Sequence, residues 1–346
     1  MNPCRFAHLS IAASLFAALS GITCPAQTAQ PVSVSGLPTL AHSGVPKPAG
    51  SVGNLKVLNW AGFTSALTYT FDDALPSQIA NYPQLHATGI RMTFFLNSGG
   101  GYHPAWTQIA KDGNELGNHT AHHCHADGAA CGAAWAGSIE AEYDQCTAFI
   151  EQNYGVGAVW TTASPFGDTG FDTVAKTRFF LNRGVWDGQI AANDTTDPYN
   201  LLIQSARAGD TATTFNSYID SAQKAGKWQI FLFHSLGGDN GYAPVNIADV
   251  IASINHAKSL DSVWIDSMVN VGAYWAGQKA VTNAVSKKTG KDTVLTWTLP
   301  PHFPPGKYVR VTVTGGILKQ DGKVLPWNDA GYYEVALDPG RLTLSR

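Results

Sequence analysis

The fold is decided by residues 66–73, which read ALTYTFDD. The first six are apolar, aromatic or β-branched, and they predict a strand at residues 66–71. Asp72 and Asp73 follow at its carboxyl end. Because adjacent carboxylates repel each other, this placement requires a cation, a hydrogen-bonding partner or a helix that Asp73 caps. The stretch therefore marks either a helix start or a functional site at the end of a strand.

Further apolar runs alternate with helical patterns along the chain. Strands are predicted at residues 91–96, 159–161, 229–233 and 263–265. Two amphipathic helices lie between them, with apolar faces formed by Ile139, Tyr143, Cys146 and Ile150 and by Ile247, Val250, Ile251 and Ile254. Strand and helix alternation predicts an α/β fold with a mainly parallel sheet or barrel.

The chain divides into four segments. Residues 1–29 have the features of an export signal: Arg5 precedes an apolar stretch that is shorter than the ~20 residues of a bilayer span. We expect a periplasmic or extracellular protein with no transmembrane segment after cleavage, and lipid attachment through Cys24 is a minor alternative. Residues 30–59, rich in Pro and Gly, are expected to form a linker or extended arm ahead of the main domain at residues 60–283.

Residues 284–346 are expected to form a small β-rich module, because short alternating runs are separated by Pro- and Gly-rich turns. Its aromatic residues favour packing within the module over carbohydrate binding, since aromatics in short strands are usually cross-strand partners. They are Trp297, Trp327, Tyr332 and Tyr333.

The composition argues against a nucleic-acid partner. The net charge is −3, with 22 Lys and Arg against 25 Asp and Glu, so the chain offers no excess of cations for phosphates. Charged residues make up 14% and aromatic residues 11% of the chain, which also argues against disorder.

Three cysteines follow the export signal: Cys124, Cys131 and Cys146. In an oxidising compartment a disulfide is expected, and the pair Cys124–Cys131 closes the shortest loop. The alternative, Cys124 as a zinc ligand next to His123, is disfavoured because the chain lacks paired thiols at Cys-x-x-Cys spacing.

Histidines supply the second candidate site feature. His119 and His123 stand four residues apart and would project from one face of a helical turn. Together with Asp73 they make a His-His-Asp set, which is typical of the three protein ligands of a catalytic zinc ion. A further histidine, His234, ends the apolar strand at residues 229–233. A buried structural histidine is the usual explanation of such a residue, but several strands that end in suitable groups favour a shared site.

Four short motifs, in order, resemble those of the polysaccharide deacetylases with a NodB homology domain, also called carbohydrate esterase family four. They are TFDD at residues 70–73, GNHTAHH at 117–123, PFG at 165–167 and LFH at 232–234. The resemblance covers about residues 66–275, so residues 60–283 would be a deacetylase-like catalytic domain. It implies a distorted, incomplete (β/α) barrel with its site at the carboxyl ends of the strands.

The resemblance also implies a role for each matched residue. Asp73, His119 and His123 would bind zinc or a similar divalent ion, and Asp72 would act as general base. His234 would protonate the departing amine or alcohol.

The remaining matched residues would contact the substrate. The backbone N–H of Phe166, flanked by Pro165 and a glycine, would stabilise the oxyanion. Leu232 and Phe233 would help to form the pocket for the acetyl methyl group.

The sequence departs from the family pattern in two places. The third motif lacks the arginine that braces the catalytic aspartate; Arg183 is the replacement candidate, and a solvent-exposed arginine is the alternative. The Asp-x-x-Asp-Trp motif is absent as such. Trp186 either stacks on a sugar ring or fills the core, and the sequence does not choose which aspartate tunes His234. The candidates are Asp187, Asp194 and Asp197.

These features predict a metal-dependent hydrolase that removes acetyl groups from an acetylated polysaccharide or oligosaccharide. Amide substrates of the N-acetylglucosamine type are placed slightly ahead of O-acetyl esters. The alternative is a non-catalytic carbohydrate-binding protein on a degenerate deacetylase scaffold. Joint retention of an acid, a base and a metal triad argues against that alternative.

Overall fold

The computed structural model describes residues 35–346; the expected export signal lies outside this range. None of the helices in the described range is long and apolar enough to cross a bilayer. The helices are α1 (Pro76–Ala87), α2 (Ala105–Lys111), α3 (Ile139–Tyr154), α4 (Asp172–Ala175), α5 (Ala212–Ala225), α6 (Ile247–Ser259) and α7 (Met268–Thr282). The first ten strands are β1 (Lys56–Val57), β2 (Ser65–Phe71), β3 (Thr93–Leu96), β4 (Glu115–Asn118), β5 (Thr161–Ala163), β6 (Leu181–Asp187), β7 (Ile190–Ala191), β8 (Leu201–Ser205), β9 (Lys227–Phe233) and β10 (Val263–Ile265). The last seven are β11 (Val285–Thr289), β12 (Asp292–Thr296), β13 (Tyr308–Thr312), β14 (Ile317–Gln320), β15 (Lys323–Val324), β16 (Tyr333–Ala336) and β17 (Arg341–Ser345).

Seven parallel strands form a closed barrel in the order β2-β3-β4-β5-β6-β8-β9, and β9 pairs back onto β2. Strand β10 pairs with the first half of β2, and β7 pairs antiparallel with the start of β9. The α/β barrel predicted from the sequence is therefore confirmed. The barrel has one strand fewer than the eight of a complete (β/α) barrel.

Alternation along each strand decides which residues face the barrel interior. In β2, Leu67, Tyr69 and Phe71 pack among the surrounding helices, whereas Ala66 belongs to the interior cluster. In β9, Phe231 and Phe233 pack outward and Leu232 packs inward. Because side chains alternate with a period of two, the next inward positions beyond these strands are residues 72 and 234. The strand phase thus directs two candidate site residues toward the barrel axis.

Helix α7 closes the amino-terminal end of the barrel. Gly272 lies so close to the interior residue Leu181 that a Cβ there would come within 2.2 Å of its side chain. On its other side, a Cβ on Gly277 would meet Leu337 of the carboxyl-terminal module at 2.4 Å. One apolar cluster therefore runs from the barrel interior through α7 into the module.

The carboxyl-terminal module is all-β, as predicted, and consists of a five-stranded sheet and part of a three-stranded one. The residues ahead of the barrel extend over it, since β1 pairs with β13 and the indole N–H of Trp327 donates to the Val45 carbonyl. Trp297, Tyr332 and Tyr333 are buried, which confirms packing as their role.

Candidate metal and catalytic site

The chain turns sharply directly after β2. The N–H of Asp72 still donates to the Phe233 carbonyl at 3.0 Å, but Asp73 and the next residue have left-handed φ values of 76° and 55°. Helix α1 then begins after Leu75, which provides no side-chain cap. The alternative in which Asp73 caps this helix is therefore wrong. The turn leaves both carboxylates at the carboxyl end of the barrel.

His119 and His123 meet, but not on a helix. Residues 119–123 form an irregular loop after β4, and Thr120 and His123 have φ values of 64° and 56°. The helical turn expected from their spacing is thus wrong. The side chain of Asn118 accepts a hydrogen bond from the N–H of Thr120 at 2.8 Å and fixes the start of the loop. The two imidazole rings lie 4.8 Å apart between centroids.

Asp73, His119 and His123 converge with the geometry of a metal site. Oδ1 of Asp73 lies 3.3 Å from Nε2 of His119 and 3.3 Å from Nε2 of His123. Ligand atoms about 2.05 Å from a tetrahedral ion lie about 3.3 Å from one another. Nδ1 of His119 is 2.8 Å from the Ala163 carbonyl, which leaves Nε2 free to bind an ion. The three residues therefore fit a divalent ion, and they are the only such group of His, Cys, Asp and Glu side chains within residues 35–346.

The electrostatics of the set suit a cation. Burial raises the pKa of Asp73, but the hydrogen bond with His119 and the nearby imidazoles lower it by more. The pKa of Asp73 is therefore well below its usual value, and the carboxylate is ionised. Burial and the charge of His119 lower the pKa of His123 to about 4. Burial lowers the pKa of His119, but Asp72 and Asp73 outweigh it and leave that pKa raised. The two carboxylates that raise the pKa of His119 also favour a divalent cation between the three side chains.

Arg183 contacts Asp72 inside the barrel. Its NH2 group donates to Oδ2 of Asp72; the arginine has no exposed surface and the aspartate 3%. NH1 of Arg183 donates to the Gly184 carbonyl at 2.9 Å, and the guanidinium lies over the Phe95 ring. Oδ1 of Asp72 is buried and makes no hydrogen bond. One carboxylate oxygen is thus held by the arginine, and the other is available as a proton acceptor.

His234 follows β9 and lies beside the same carboxylates. Burial lowers its pKa, and Asp72 and Asp73 only partly oppose this. Its Nδ1 is buried without a hydrogen-bond partner, and its ring meets the edge of Tyr242 at 5.0 Å. The three aspartates considered for tuning His234 have other partners. They are Asp187, which pairs with Arg207 at 3.6 Å, Asp194, which accepts from the N–H of Ala191, and Asp197, which accepts from the N–H of Tyr199.

The turn at residues 165–167 borders the metal triad. Phe166 has a left-handed φ of 57°, and its ring packs edge-on against His123 at 4.6 Å and face-on against His125 at 4.0 Å. A Cβ on Gly167 would come within 2.1 Å of the Val185 side chain, so only glycine fits there. Pro165 is buried.

Leu232 and Trp186 differ in exposure. Leu232 is 2% exposed and faces the barrel interior, two residues before His234. Phe233 packs outward against Tyr69 and Phe215, so its expected part in the acetyl-methyl pocket is wrong. Trp186 is 61% exposed near the end of β6, so the alternative in which it fills the core is wrong.

A disulfide and a buried carboxylate hold the loop that carries His123. Cys124 and Cys131 are joined, as predicted. Glu142, at the start of α3, accepts hydrogen bonds from the N–H of His122 at 2.8 Å and of Ala136 at 3.0 Å. The sequence analysis did not identify Glu142, whose only sequence signal is a carboxylate in the first turn after the Ser138 cap.

A cavity of about 470 Å³ opens beside Asp73, between the loops that follow β2 and β3. Its lining is mostly apolar and includes Leu75, Ile79, Trp106 and Tyr154.

Comparison with known proteins finds one family model and several solved structures that are similar to this chain. The family model described as Polysaccharide deacetylase matches residues 64–180. Among solved structures, a family 4 carbohydrate esterase from Streptomyces lividans is 16% identical with a TM-score of 0.43, over 61% of this chain and 95% of that one. A peptidoglycan N-acetylglucosamine deacetylase catalytic domain from Eubacterium rectale is 15% identical with a TM-score of 0.41, over 62% and 93%. A family 4 acetyl xylan esterase from Clostridium thermocellum, solved with a cobalt ion, is 14% identical with a TM-score of 0.41, over 60% and 89%. None of the curated proteins matches the chain.

Proposed function

We propose that the chain is a metal-dependent enzyme that removes acetyl groups from an acetylated carbohydrate polymer, as the match of residues 64–180 to the family model described as Polysaccharide deacetylase suggests. The observation that carries the proposal is the convergence of Asp73, His119 and His123, with 3.3 Å from the carboxylate oxygen to each imidazole nitrogen. The ion is zinc or a similar divalent cation.

The residues around the triad divide the proton transfers of the reaction. A divalent ion held by the triad would supply Lewis acidity toward the acetyl carbonyl and the attacking water. Oδ1 of Asp72, free of hydrogen bonds, accepts the proton that the water loses. Arg183 holds Oδ2 of the same carboxylate and so fixes its orientation. The N–H of Phe166 donates to the developing oxyanion.

His234 delivers a proton to the leaving group as its bond to the acetyl carbon breaks. The products are acetate and a free amine or hydroxyl group. An amine is a poorer leaving group than an alcohol and needs this proton more, so a histidine beside the carboxylates favours N-acetylglucosamine-type amides over O-acetyl esters. Leu232 forms part of the pocket for the acetyl methyl group.

We propose that the protein is exported after removal of residues 1–29. The disulfide between Cys124 and Cys131 supports an oxidising compartment. Amino-terminal sequencing of the protein from cell-envelope and medium fractions tests this: a mature chain that starts near residue 27 or 30 is expected, and an intact Met1 would contradict it.

The reaction is tested by acetate release from N-acetylglucosamine oligomers and from acetylated xylan in parallel. Each substrate is assayed before chelation, after chelation and after zinc is restored. Release that is lost and returns with zinc supports the proposal. A folded, zinc-loaded protein that binds these glycans without any release would contradict it and favour a binding protein.

Zinc binding provides a second test of the three ligands that does not depend on enzyme activity. Asp73→Ala is expected to lose bound zinc in equilibrium dialysis, because one of three ligands is gone. Asp144→Ala is the matched control, since Asp144 is an exposed carboxylate on the surface of α3 and is paired with Arg178. Equal zinc content in the two variants would show that the ion is bound elsewhere.

A further inference from the structure

A buried glutamine binds the main chain at both residues proposed for proton transfer. One hydrogen bond continues the ladder between β2 and β9 beyond both strands, from the N–H of Asp72 to the Phe233 carbonyl. Asp73 then turns away from the ladder, and a side chain binds the next two carbonyls. Nε2 of Gln78 donates to the Asp72 carbonyl at 2.5 Å and to the His234 carbonyl at 3.0 Å.

The turn that precedes α1 places Gln78 for this contact. Gln78 is the third residue of the helix and has no exposed surface. Because both partners are carbonyl oxygens, the amide nitrogen must face them, and the amide oxygen is buried without a hydrogen-bond partner. An unpaired buried oxygen costs free energy, so stability alone does not explain a glutamine at this position.

A second set of contacts holds the loop after His234 on the same turn of α1. Asp239 accepts hydrogen bonds from the N–H of Ser77 at 2.9 Å and from the N–H of Gly241 at 3.0 Å. The N–H of Leu236 donates to the Ser77 hydroxyl at 3.0 Å. The first turn of α1 therefore binds the main chain both at His234 and beyond it.

The side chains of the two proton-transfer residues are not joined by a hydrogen bond. Oδ1 of Asp72 and Nδ1 of His234 are both buried without a partner. The three aspartates considered for tuning His234 bind other groups, so no carboxylate among them orients its ring. The spacing between base and acid is therefore set through the main chain, where Gln78 binds both residues.

We propose that Gln78 is a positioning residue that sets the spacing between Asp72 and His234 by binding both main-chain carbonyls with one amide group. This inference rests on the proposed deacetylase function, in which these two residues accept and donate the protons. Loss of the contact displaces mainly His234, because Asp72 is also held by Arg183 and by the Phe233 carbonyl. A displacement of about 1 Å in a reacting group can cost about 10²-fold in rate.

The placement of His234 matters most for substrates with a poor leaving group. The amine of an N-acetyl amide must be protonated as it departs, whereas the phenolate of 4-nitrophenyl acetate leaves as an anion and needs no proton. A displaced His234 therefore lowers the ratio of kcat on the amide to kcat on this activated ester. A loss of folded protein or of bound zinc lowers both rates by the same factor and leaves the ratio unchanged.

The test measures this ratio for wild type, Gln78→Met, Gln78→Glu and Gln278→Met, with N-acetylglucosamine oligomers as the amide. Both changes at Gln78 keep the size of the side chain and remove the amide donor. The ratio is expected to fall about 10- to 100-fold in both, with KM nearly unchanged.

Gln278→Met is the matched control for the loss of a buried glutamine. Gln278 lies in α7, at the other end of the barrel, and is 1% exposed. It also joins two main-chain groups, the N–H of Trp60 at 3.3 Å and the carbonyl of Ala192 at 2.8 Å. An equal fall of the ratio in this control, or an unchanged ratio in both Gln78 variants, would overturn the inference.

A double variant shows whether Gln78 acts through His234. In His234→Ala the ratio is already low, and the addition of Gln78→Met should change it by less than about twofold. A further fall as large as in the wild-type background would show that the glutamine acts elsewhere and would overturn the inference.

The placement of His234 can also be measured without turnover, so failure of the proposed function does not decide this inference. In zinc-loaded protein with ¹⁵N-labelled histidine, the imidazole signals of His234, assigned from His234→Gln, should shift in Gln78→Met and not in Gln278→Met. The signals of His256, which is paired with Asp220 at 2.7 Å, should stay in place. Unchanged His234 signals in Gln78→Met would overturn the inference whether or not the protein releases acetate.

Discussion

The buried contact between Arg183 and Asp72 allows a quantitative test of how the barrel holds its general base. Arg183→Met keeps the length of the side chain but removes its charge. The Asp72 carboxylate, which is 3% exposed, is then left without the cation that pairs with it. Breaking a buried pair from one side costs about 3–5 kcal/mol, a large part of the roughly 5–15 kcal/mol that stabilises a typical protein. Neutralising both partners costs much less, because no charge is left buried.

We therefore expect Arg183→Met to lower the free energy of unfolding in urea by about 3–5 kcal/mol. The double variant Arg183→Met with Asp72→Asn should regain about 2 kcal/mol of this loss. All proteins are measured after chelation, so that differences in metal content do not contribute. The matched control is Arg207→Met, whose pair with Asp187 is solvent-exposed and should contribute less than about 1 kcal/mol.

The activities of the single and double variants should not follow the order of their stabilities. Arg183→Met lowers kcat because the carboxylate loses its orientation, and the double variant stays inactive, about 10²- to 10⁴-fold below wild type, because the proton acceptor is gone. The reasoning is refuted if Arg183→Met unfolds at the wild-type urea midpoint, or if the double variant is no more stable than the single one.

Three further predictions follow from features around the site. Cys131→Ser opens the loop that carries His123 and should lower the free energy of unfolding by about 2.5 kcal/mol in urea, with weaker zinc binding in dialysis; unchanged values would contradict this. Gly167→Ala places a methyl group against Val185 and should cost about 2 kcal/mol or more together with most of the activity, whereas Gly157→Ala, with no neighbour in the way, should cost less. Burial and the neighbouring Asp197 raise the pKa of Asp172 to about 6, so the folded state binds more protons than the unfolded state between about pH 4 and 6, and stability falls as pH rises through this window. Asp172→Asn should therefore raise the free energy of unfolding in urea at pH 8 by about 1 kcal/mol after allowance for solvent screening, and not at pH 3; a gain of equal size at both pH values would show that charge is not the cause.

Strands with apolar residues on both faces or on the outer face were predictable from the sequence. The predicted strands at residues 66–71, 229–233 and 263–265 agree with β2, β9 and β10 within two residues. Strands β4, β6 and β8 were not predicted, because buried polar side chains interrupt their apolar pattern. Asn118, Arg183 and Gln204 are buried there and hydrogen-bonded, so the apolar period that identifies a strand is missing.

The candidate site residues could be named from motifs, but their local conformations could not. The spacing of His119 and His123 suggested a helix, whereas left-handed residues in the loop bring the rings together. Residue type and spacing do not reveal such a backbone, since Thr and His rarely adopt it. The contact of Arg183 with Asp72 joins residues that are 111 positions apart and depends on the closure of the barrel.

The position of α7 has a consequence for where the chain can be cut. A boundary near residue 284 separates two sequence textures, but the helix that ends there packs on Leu181 on one side and on Leu337 on the other. Removal of residues 284–346 would expose the apolar face of α7, including Val281, to water. The module thus keeps water from the apolar face of the helix that closes the barrel. A shortened protein that stops at the end of α7 is therefore expected to aggregate before its activity can be measured.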